Sequence, residues 1–497
     1  MKSHTVIVFL SLQLPQIVAV ARTPLLPMLR ADHSSHKDTP VPVKSLPQLA
    51  RDLRNGTVSS RELVEAAVER HAATEARLNA YRTFAGERAI AQASAADHLI
   101  ADGIDLGPLM GLPVSVKDLY GIPGLPVFGG TDAAFPTAYE QPGPVAKAVL
   151  SQLGIVTGKT HTVEFAFGGL GTNPHAGTPL NPWSSPDAPR VPGGSSAGAG
   201  VSLAQGSALL ALGTDTAGSV RVPASFTGQA GLKVTHGRWS LEGILPLSPS
   251  LDTPGLLART VSDLAFAFAA LDPNCTCPPA PSESPLRFGV IRNVVWENID
   301  ASIADNTTGA LRQLEKAGQR LQDVELPSAT DLLEIFRAGG LAAPELRTFL
   351  DLNFPERIER LDPTVMARVQ AADEISATEY LKRRAILAES GVSAARVFDH
   401  VDVLVSPTIP ISAPLLSDLS DPDAYRTANM MALRNTALVN LLGWCALTLP
   451  TGLDSNGIPS GLQIIAAPGQ EERLLAAGLT VEAILGQGPE VLGSPQL

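Results

Sequence analysis

The segment RVPGGSSAGAG at residues 190–200 places two glycines, two serines and further small residues in one short stretch. Glycine fills no core and loses the most backbone entropy on folding, so such a stretch is kept where the backbone must approach closely or turn sharply. A second stretch, LGTDTAGSVRVPA at residues 212–224, again ends a small-residue run with a serine, Ser219. Any fold of this chain must therefore contain two tight turns that each present a serine.

Short apolar segments alternate with helical segments around these turns. GLPVSVKDL (111–119) predicts a strand ending near Lys117, GPVAKAVLSQLG (143–154) a helix, and IVTGKT (155–160) a strand. GAGVSLAQGSALLAL (198–212) predicts a helix. This alternation predicts an α/β fold, in which strands are buried on both faces by helices.

The domain organisation follows from the absence of a dividing linker. We interpret residues 1–42 as an N-terminal lead-in and expect residues 43–490 to form one large domain. Within it, residues 330–400 are mainly helical with irregular apolar spacing, and we expect this insertion to cover the substrate pocket. Ser59 and Glu62 predict a capping box at the start of a helix.

The N-terminus leaves two alternatives open. Residues 1–21 contain Lys2, an apolar run and an Ala-Val-Ala end, a pattern typical of an export signal. Two glutamines and a proline interrupt the run, which is also too short for a convincing membrane span. A cytoplasmic and an exported location therefore both remain open.

Composition excludes several classes of partner. The net charge is −12, and the only tight basic cluster is Lys382-Arg383-Arg384, which we interpret as a solvated helix face. Nucleic acid and anionic membranes are therefore poor partners. The three cysteines form no CxxC pair and the nine histidines form no HExxH pattern, so we predict neither metal nor cofactor.

Two serines, Ser196 and Ser219, are candidates for the nucleophile. Residues 194–198, GSSAG, match the G-x-S-x-G elbow of α/β-hydrolases, but the three prolines in SSPDAPRVP exclude the strand that an elbow needs before it. The turn around Ser219 can instead point several N–H groups into one cavity, as an oxyanion requires. Lys117, at the end of an apolar strand, could act as its base, because burial disfavours the ammonium form. Taken alone, Lys117 is better explained by an ion pair with Asp118 or by an ammonium group that extends to solvent.

The combination of PVSVKD, PGGSSAGAG and LGTDTAGSVRVPA resembles the amidase signature family. The spacing of Ser195 and Ser219 is typical of that family. The segments KTHTVEFAFGGLGTNPHAGTPLNPW, VLVSPTIPISAP and PSGLQIIAAPGQEERLLAAG are also similar to it. The resemblance extends from about Ser45 to Gly486, and it implies a single large domain whose central mixed, twisted β-sheet is covered by helices on both faces.

The resemblance also implies the site residues. Family members use a Ser-cisSer-Lys triad, which places the nucleophile at Ser219, the bridging serine at Ser195 after a cis peptide bond, and the base at Lys117. The implied oxyanion hole is formed by the N–H groups of Thr216, Ala217, Gly218 and Ser219. The implied substrate-binding residues are Gly168, Gly169 and Ser196, and Asp215 and Arg221 are interpreted as structural.

The expected function is hydrolysis of C–N bonds in small amides through an acyl-enzyme, without a cofactor. We predict neutral aryl or apolar substrates, including anilides and carbamates, because apolar residues are plentiful near the expected pocket. These residues are Leu119, Tyr120, Leu125, Phe128, Leu332, Leu333, Ile335, Phe336, Leu341, Phe349, Leu350 and Phe354.

Several alternatives stay open beside this prediction. One is the glutaminase subunit of a tRNA-dependent amidotransferase, and another is a carbamoyl-compound hydrolase of the allophanate hydrolase type. The sequence Ala217-Gly218, where many family members have two glycines, is similar to the carbamoyl-acting relatives. A homodimer is an open alternative to a monomer, and a non-catalytic binding protein is disfavoured because all three triad positions are present.

Overall fold

The structure of the protein is a computed structural model, which describes residues 44–275, 277–495 and 497. The predicted lead-in at residues 1–42, with its export signal, lies outside the described residues. The described chain from Lys44 onward forms one compact α/β unit. None of its described helices is long and apolar enough to cross a membrane.

Helices and strands alternate through most of this unit. The helices are α1 (Leu46–Arg54), α2 (Ser60–Leu78), α3 (Gly86–Ala101), α4 (Pro144–Ser151), α5 (Ala197–Gln205), α6 (Arg221–Thr227), α7 (Val261–Leu271), α8 (Ala301–Lys316), α9 (Ala329–Arg337), α10 (Ala342–Asn353), α11 (Pro363–Gln370), α12 (Ala377–Ala394), α13 (Pro422–Leu441), α14 (Glu471–Leu485) and α15 (Gly488–Leu492). The strands are β1 (Tyr81–Phe84), β2 (Pro113–Lys117), β3 (Ile155–Thr160), β4 (Leu210–Asp215), β5 (Ala230–Lys233), β6 (Thr253–Ala258), β7 (Arg287–Ile291), β8 (Arg320–Val324), β9 (Val403–Pro407), β10 (Cys445–Leu453) and β11 (Pro459–Ala466). Short 3₁₀ turns lie at Thr137–Glu140, Glu164–Ala166, Pro355–Arg360, Ala371–Glu374, Ala395–Asp399 and Leu416–Leu419.

The eleven strands of the described chain form one mixed sheet in the order β1-β3-β2-β4-β6-β5-β10-β11-β9-β7-β8. Strand β2 runs parallel to both of its neighbours, β3 and β4. Parallel neighbours end at the same edge of a sheet, so Lys117 at the end of β2 and Asp215 at the end of β4 lie at one edge. The turn that follows Asp215 carries Ser219, and the fold thereby brings two distant motifs together.

Helices cover both faces of the sheet, and β4 illustrates how. Leu210 and Leu212 belong to the large core cluster that includes Leu264 and Phe268 of α7. Ala211, between them, packs on the opposite face in a cluster with residues of α5 and α6. The alternation of side chains along a strand thus buries β4 completely, and the predicted α/β fold with a central mixed sheet is confirmed.

One predicted element was wrong in extent. The helix expected over residues 198–212 ends at Gln205, because Gly206 adopts φ 79° and caps it, and β4 begins at Leu210. The apolar run after Gly206 has a periodicity that fits a helix and a strand equally well. In the structure this run forms a strand because it pairs with β2 on one side and with β6 on the other. The predicted capping box of Ser59 and Glu62 is confirmed.

Residues 329–399, here called the helical segment, contain helices α9 to α12 and three of the 3₁₀ turns. Helices α10 and α11 pack on Phe165 through Leu346, Leu350 and Val365. Helices α9 and α12 pack on α13 through Leu333 and Leu387. The helical segment is therefore attached on one side to the loop after β3 and on the other to α13, both of which border the cavity described next.

Candidate active site

Lys117 ends β2 with its side chain fully buried. Its ammonium donates to Ser195 Oγ at 2.8 Å and to Thr214 Oγ1 at 2.8 Å. Burial lowers the pKa of Lys117 to about 7, against the opposing effect of the carboxylates of Asp252 and Asp215. A lysine with this pKa is neutral in about half of the molecules at pH 7, and the neutral form can accept a proton, as a general base must.

Ser195 follows a cis peptide bond with Gly194, as the family resemblance implied. The glycines of this stretch are required by close backbone contacts. Gly193 has φ 80°, and a Cβ on Gly194 would lie 2.8 Å from the backbone of Gly171. Two chain segments therefore touch here with no room for a side chain, which accounts for the small residues in the sequence.

Ser196 lies beside Ser195 but does not reach the cavity. Its side chain is fully buried and its hydroxyl donates to the carbonyl of Thr214 on β4 at 3.3 Å. Its N–H donates to the carbonyl of Ser219 at 3.2 Å. These contacts hold the two motif turns together, and a substrate-binding role of Ser196 stays a prediction.

Ser219 is 3% exposed, and it is the one member of the expected triad that lines the large cavity of about 710 Å³. The preceding Gly218 has φ 135°, and a Cβ there would lie 2.1 Å from Thr436 Oγ1. Within the described chain, Ser219 Oγ has no hydrogen-bond partner, and Ser195 Oγ receives its bond from Lys117. Lys117, Ser195 and Ser219 thus follow one another in this order from the buried sheet edge to the cavity.

A buried ion pair supports the turn before Ser219. Arg221 and Asp215 are both fully buried, and Arg221 Nη2 lies 2.9 Å from Asp215 Oδ1. Asn440 Nδ2 also donates to Asp215 Oδ1 at 2.8 Å, and Arg221 donates to Gln463 Oε1 at 2.5 Å. Burial alone would raise the pKa of Asp215, but Arg221, together with Lys233 and Asn440, outweighs burial and the pKa falls to about 2. The structural interpretation of both residues is confirmed.

The expected oxyanion hole needs one correction. The N–H of Gly218 donates to Asp215 Oδ1 at 2.8 Å, so it is not free to bind an oxyanion. The N–H groups of Thr216, Ala217 and Ser219 have no hydrogen-bond acceptor within the described residues. Ala217 keeps a negative φ, so its Cβ causes no strain at this turn. Three N–H groups of the turn, rather than four, are available.

Thr216 is held by a carboxylate that sequence reasoning missed. Its hydroxyl donates to Asp252 Oδ1 at 2.5 Å, and Asp252 Oδ2 accepts from the N–H groups of Leu247 and Ser248. Burial raises the pKa of Asp252. Asp252 precedes β6 in a segment without a distinctive motif, so nothing in a single sequence marks it.

The two predicted glycines after β3 occupy different positions. Gly168 lines the cavity together with Ala166 and Phe167. Gly169 lies behind it, where its N–H donates to Asn429 Oδ1 and a Cβ would meet Leu433 at 2.6 Å. Gly168 therefore borders the cavity, whereas Gly169 packs behind it, and a role of either glycine in substrate binding stays a prediction.

The residues that line the cavity differ from those that we predicted. Of the expected apolar residues only Phe336 and Leu341 line it, and most of the others belong to the core. The cavity is also lined by four arginines, Arg337, Arg368, Arg383 and Arg426. Arg383 is 7% exposed, so the interpretation of its cluster as a solvated helix face is wrong for this residue and fits only its exposed neighbours.

The chemistry of the site rests on serine, lysine and backbone N–H groups. Within the described residues, no group of three or more His, Cys, Asp and Glu side chains is arranged to hold a metal ion. The arrangement comprises a cavity serine, a buried lysine of lowered pKa, a serine between them, and a turn with free N–H donors. Such a set can activate a hydroxyl for attack on a carbonyl and stabilise the oxyanion that forms.

Comparison with known proteins extends this description. The sequence model of the family named Amidase matches residues 62–475. The chain is 57% identical over 456 residues to 2-amino-5-chloromuconic acid deaminase of Comamonas testosteroni, which covers 91% of this chain and 98% of the relative. It is 33% identical over 472 residues to an amidase of Pseudomonas putida, covering 90% and 98% of the two chains. A crystal structure of an amidase superposes with a TM-score of 0.80 at 31% identity, covering 89% of this chain and 100% of the other.

Proposed function

The chain belongs to the amidase family and is a hydrolase acting on C–N bonds; from this premise we propose that it works through a covalent intermediate on Ser219. The observation that carries the proposal is the bond from Lys117 Nζ to Ser195 Oγ, directly behind the turn that exposes Ser219 to the cavity. In this proposal Lys117 is the base, Ser195 relays the proton, and Ser219 attacks the carbonyl.

The proposed reaction has two halves. Ser219 Oγ bonds to the carbonyl carbon while its proton passes to Ser195 Oγ, and the Ser195 proton passes to neutral Lys117. The C–N bond then breaks, and the proton returns through the same relay to the leaving amine, leaving an acyl-enzyme. Water attacks this ester and gives up a proton along the same path; the bond from the carbonyl carbon to Ser219 Oγ then breaks, the relay returns the proton to Ser219 Oγ, and the acid is released. The relay requires Ser195 Oγ and Ser219 Oγ to come within hydrogen-bond distance when substrate binds, and catalytic bonds often tighten at that stage.

The proposed oxyanion hole consists of the N–H groups of Thr216, Ala217 and Ser219. Asp215 occupies the N–H of Gly218 and thereby fixes the turn so that the remaining three donors are preorganised. Preorganised donors stabilise a developing oxyanion without reorganisation during the reaction. Removing a single donor of this kind typically lowers kcat about 10²- to 10³-fold.

The substrate is proposed to be a small amide whose hydrocarbon part lies against the apolar wall of the cavity. Leu247, Leu251, Leu433 and Leu441 form part of that wall. An apolar wall of this extent suits an aryl or alkyl group, as in anilides or aryl carbamates. Glutamine and carbamoyl compounds are the comparison substrates, because they represent the glutaminase and the allophanate-type alternatives.

The experiment compares Ser219→Ala with Ser196→Ala on an anilide, a primary amide, an aryl carbamate and glutamine. Loss of the nucleophile lowers kcat by at least about 10³-fold. Ser196→Ala removes a buried hydroxyl on the adjacent turn and serves as the matched control, with a far smaller expected loss. Comparable losses in the two variants, or an active Ser219→Ala enzyme, would overturn the assignment.

A second candidate function is release of ammonia from an amino-substituted unsaturated dicarboxylic acid. The observation that favours it is the 57% identity to 2-amino-5-chloromuconic acid deaminase, together with the arginines in the cavity. Guanidinium groups bind carboxylates, so the cavity arginines that lack an acidic partner suit an acidic substrate. In this reaction one water replaces the amino group, and the products are ammonia and the corresponding oxo acid.

Ammonia release from 2-amino-5-chloromuconic acid, measured beside anilide hydrolysis in the same preparation, separates the two candidates. The deaminase proposal predicts a kcat/KM for the amino acid well above that for any amide in the panel. If the anilide is the better substrate, the amide proposal holds and the deaminase proposal fails.

A further inference from the structure

The arginines of the cavity differ in what they already bind. Arg383 donates to Glu379 and to the carbonyls of Ala338 and Gly340, so its groups serve the helical segment itself. Arg426 is exposed and pairs with Asp423. Arg368, on α11, has no acidic side chain of the described chain within ion-pair distance. Arg368 is therefore a half-buried cation in a largely apolar cavity, with no anionic partner among the described residues.

The guanidinium of Arg368 is fixed in place by the opposite side of the cavity. Its Nη1 donates to the carbonyl of Phe167 at 2.5 Å, and its Cζ lies 5.2 Å from the Phe167 ring centre. On another side Cζ lies 5.6 Å from the ring centre of Tyr425 on α13. Cation–π contacts with two aromatic rings and one backbone bond hold the guanidinium, while its other N–H groups stay available for a bidentate partner.

Tyr425 supplies a second, independent observation. It is 3% exposed and lines the same cavity, yet its hydroxyl has no hydrogen-bond partner within the described part of the chain. A Cβ placed on Gly168 would lie 2.8 Å from this hydroxyl and 3.7 Å from Arg368 Nη1, so the two groups flank the same glycine. An unpaired buried hydroxyl destabilises a protein, and an acceptor bound between it and the guanidinium would remove that cost.

We propose that Arg368 and Tyr425 form a subsite for a carboxylate of the substrate. This inference rests on the proposed function, because it places the carboxylate in the cavity that Ser219 opens into. The guanidinium binds both carboxylate oxygens, and the hydroxyl donates to one of them. The substrate class is then an acyl compound with a carboxylate separated from the scissile C–N bond by a hydrocarbon spacer, which lies along the apolar wall.

The experiment uses a matched pair of anilides, adipic acid monoanilide and hexananilide, which differ at the far end of a six-carbon acyl chain. The subsite predicts that the wild-type kcat/KM is at least about tenfold higher for the carboxylate substrate, mainly through KM. In Arg368→Gln the ratio of the two constants falls toward one, and Arg368→Lys restores part of it. Tyr425→Phe lowers the ratio by a smaller factor. Arg312→Gln removes an exposed arginine of α8 outside the cavity and leaves the ratio unchanged.

Two outcomes overturn the subsite: a wild-type preference for hexananilide, or a ratio that Arg368→Gln does not change. Either result with normal turnover leaves the proposed function standing. If neither anilide is turned over, titration calorimetry measures binding of adipic acid monoanilide to Ser219→Ala. The subsite requires that this compound binds and that adding Arg368→Gln to Ser219→Ala abolishes the binding. Should Arg368→Gln fail to fold, as judged by circular dichroism, Arg368→Lys and Tyr425→Phe carry the same test.

Discussion

Two regions build the cavity around Ser219, and they differ in how their polar groups are used. At the sheet edge, Lys117, Ser195, Asp215 and Arg221 are all fully buried, and each is hydrogen-bonded to other protein groups. In the helical segment at residues 329–399, the polar side chains that face the cavity are more exposed. Arg337 there has no hydrogen bond or ion pair to any described residue.

We interpret this difference as a division of roles: the sheet edge carries the groups of the proposed reaction, and the helical segment selects the substrate. A buried, fully bonded polar network has one arrangement, and changing one member leaves its partners unsatisfied. A more exposed wall tolerates substitution, because water replaces a lost partner. We therefore expect changes at the sheet edge to abolish reaction or folding, and changes in the helical segment to alter which substrates react.

The largest effect is expected for Lys117→Ala, which removes the proposed base. Amide hydrolysis should fall about 10³-fold or more, and ester hydrolysis less, because an amine leaving group depends more on protonation than an alkoxide does. The base is neutral only above its pKa of about 7, so the wild-type kcat/KM rises as pH increases through 7 and then levels. This rise should be absent from the residual activity of the variant.

Lys233→Met is the matched control for that prediction. Lys233 is also a fully buried lysine, but it donates to the carbonyls of Val234 and Trp444 and does not line the cavity. Its replacement should leave the difference between amide and ester hydrolysis as it is. An amide-specific loss in Lys233→Met, or full amidase activity in Lys117→Ala, would contradict the distinction between the two lysines.

The next effect concerns stability. Asp215→Ala leaves the buried Arg221 without its carboxylate, and breaking such a pair costs about 3–5 kcal/mol of unfolding free energy. The double variant Asp215→Ala/Arg221→Met should recover part of that loss, because no buried charge is then unpaired. Denaturant unfolding of the three proteins measures both quantities, and a loss below about 1 kcal/mol in the single variant would contradict the role of the pair.

The same pair predicts a pH dependence. The pKa of Asp215 is about 2 in the folded chain, below the value of about 3.9 for an unfolded aspartate. The unfolded chain therefore takes up the proton first as pH falls. The stability from this carboxylate is complete above about pH 4 and is lost toward pH 2. The stability difference between wild type and Asp215→Ala should shrink over that interval.

The smallest effect is expected in the helical segment. Arg383→Gln removes bonds to the carbonyls of Ala338 and Gly340, which line the cavity. These bonds position the wall and do not reach the substrate, so we expect KM to rise by no more than about fivefold, equivalent to about 1 kcal/mol, with little change in kcat. Arg384→Gln, at the exposed neighbouring position, is the control and should leave KM unchanged. A loss of kcat in Arg383→Gln would mean that this wall also takes part in the chemistry.

The same contrast explains what could be predicted from the sequence. The strand before Lys117 was predicted because its short apolar run is a local pattern, and the turns at Ser195 and Ser219 because their glycines and serines form one too. Asp252, Arg368 and Tyr425 were missed, since they reach the cavity from separate elements only after folding. The end of α5 was misplaced because the apolar run after Gly206 has no periodicity that separates helix from strand.

Covalent labelling tests the central claim most directly. The account predicts that a small fluorophosphonate modifies Ser219 with one label per chain, located by peptide mass spectrometry. The same label should be absent from Ser219→Ala and strongly slowed in Lys117→Ala, while Arg383→Gln reacts as wild type does. A label on Ser196, or no reaction of the active enzyme, would contradict the claim that Ser219 is the nucleophile.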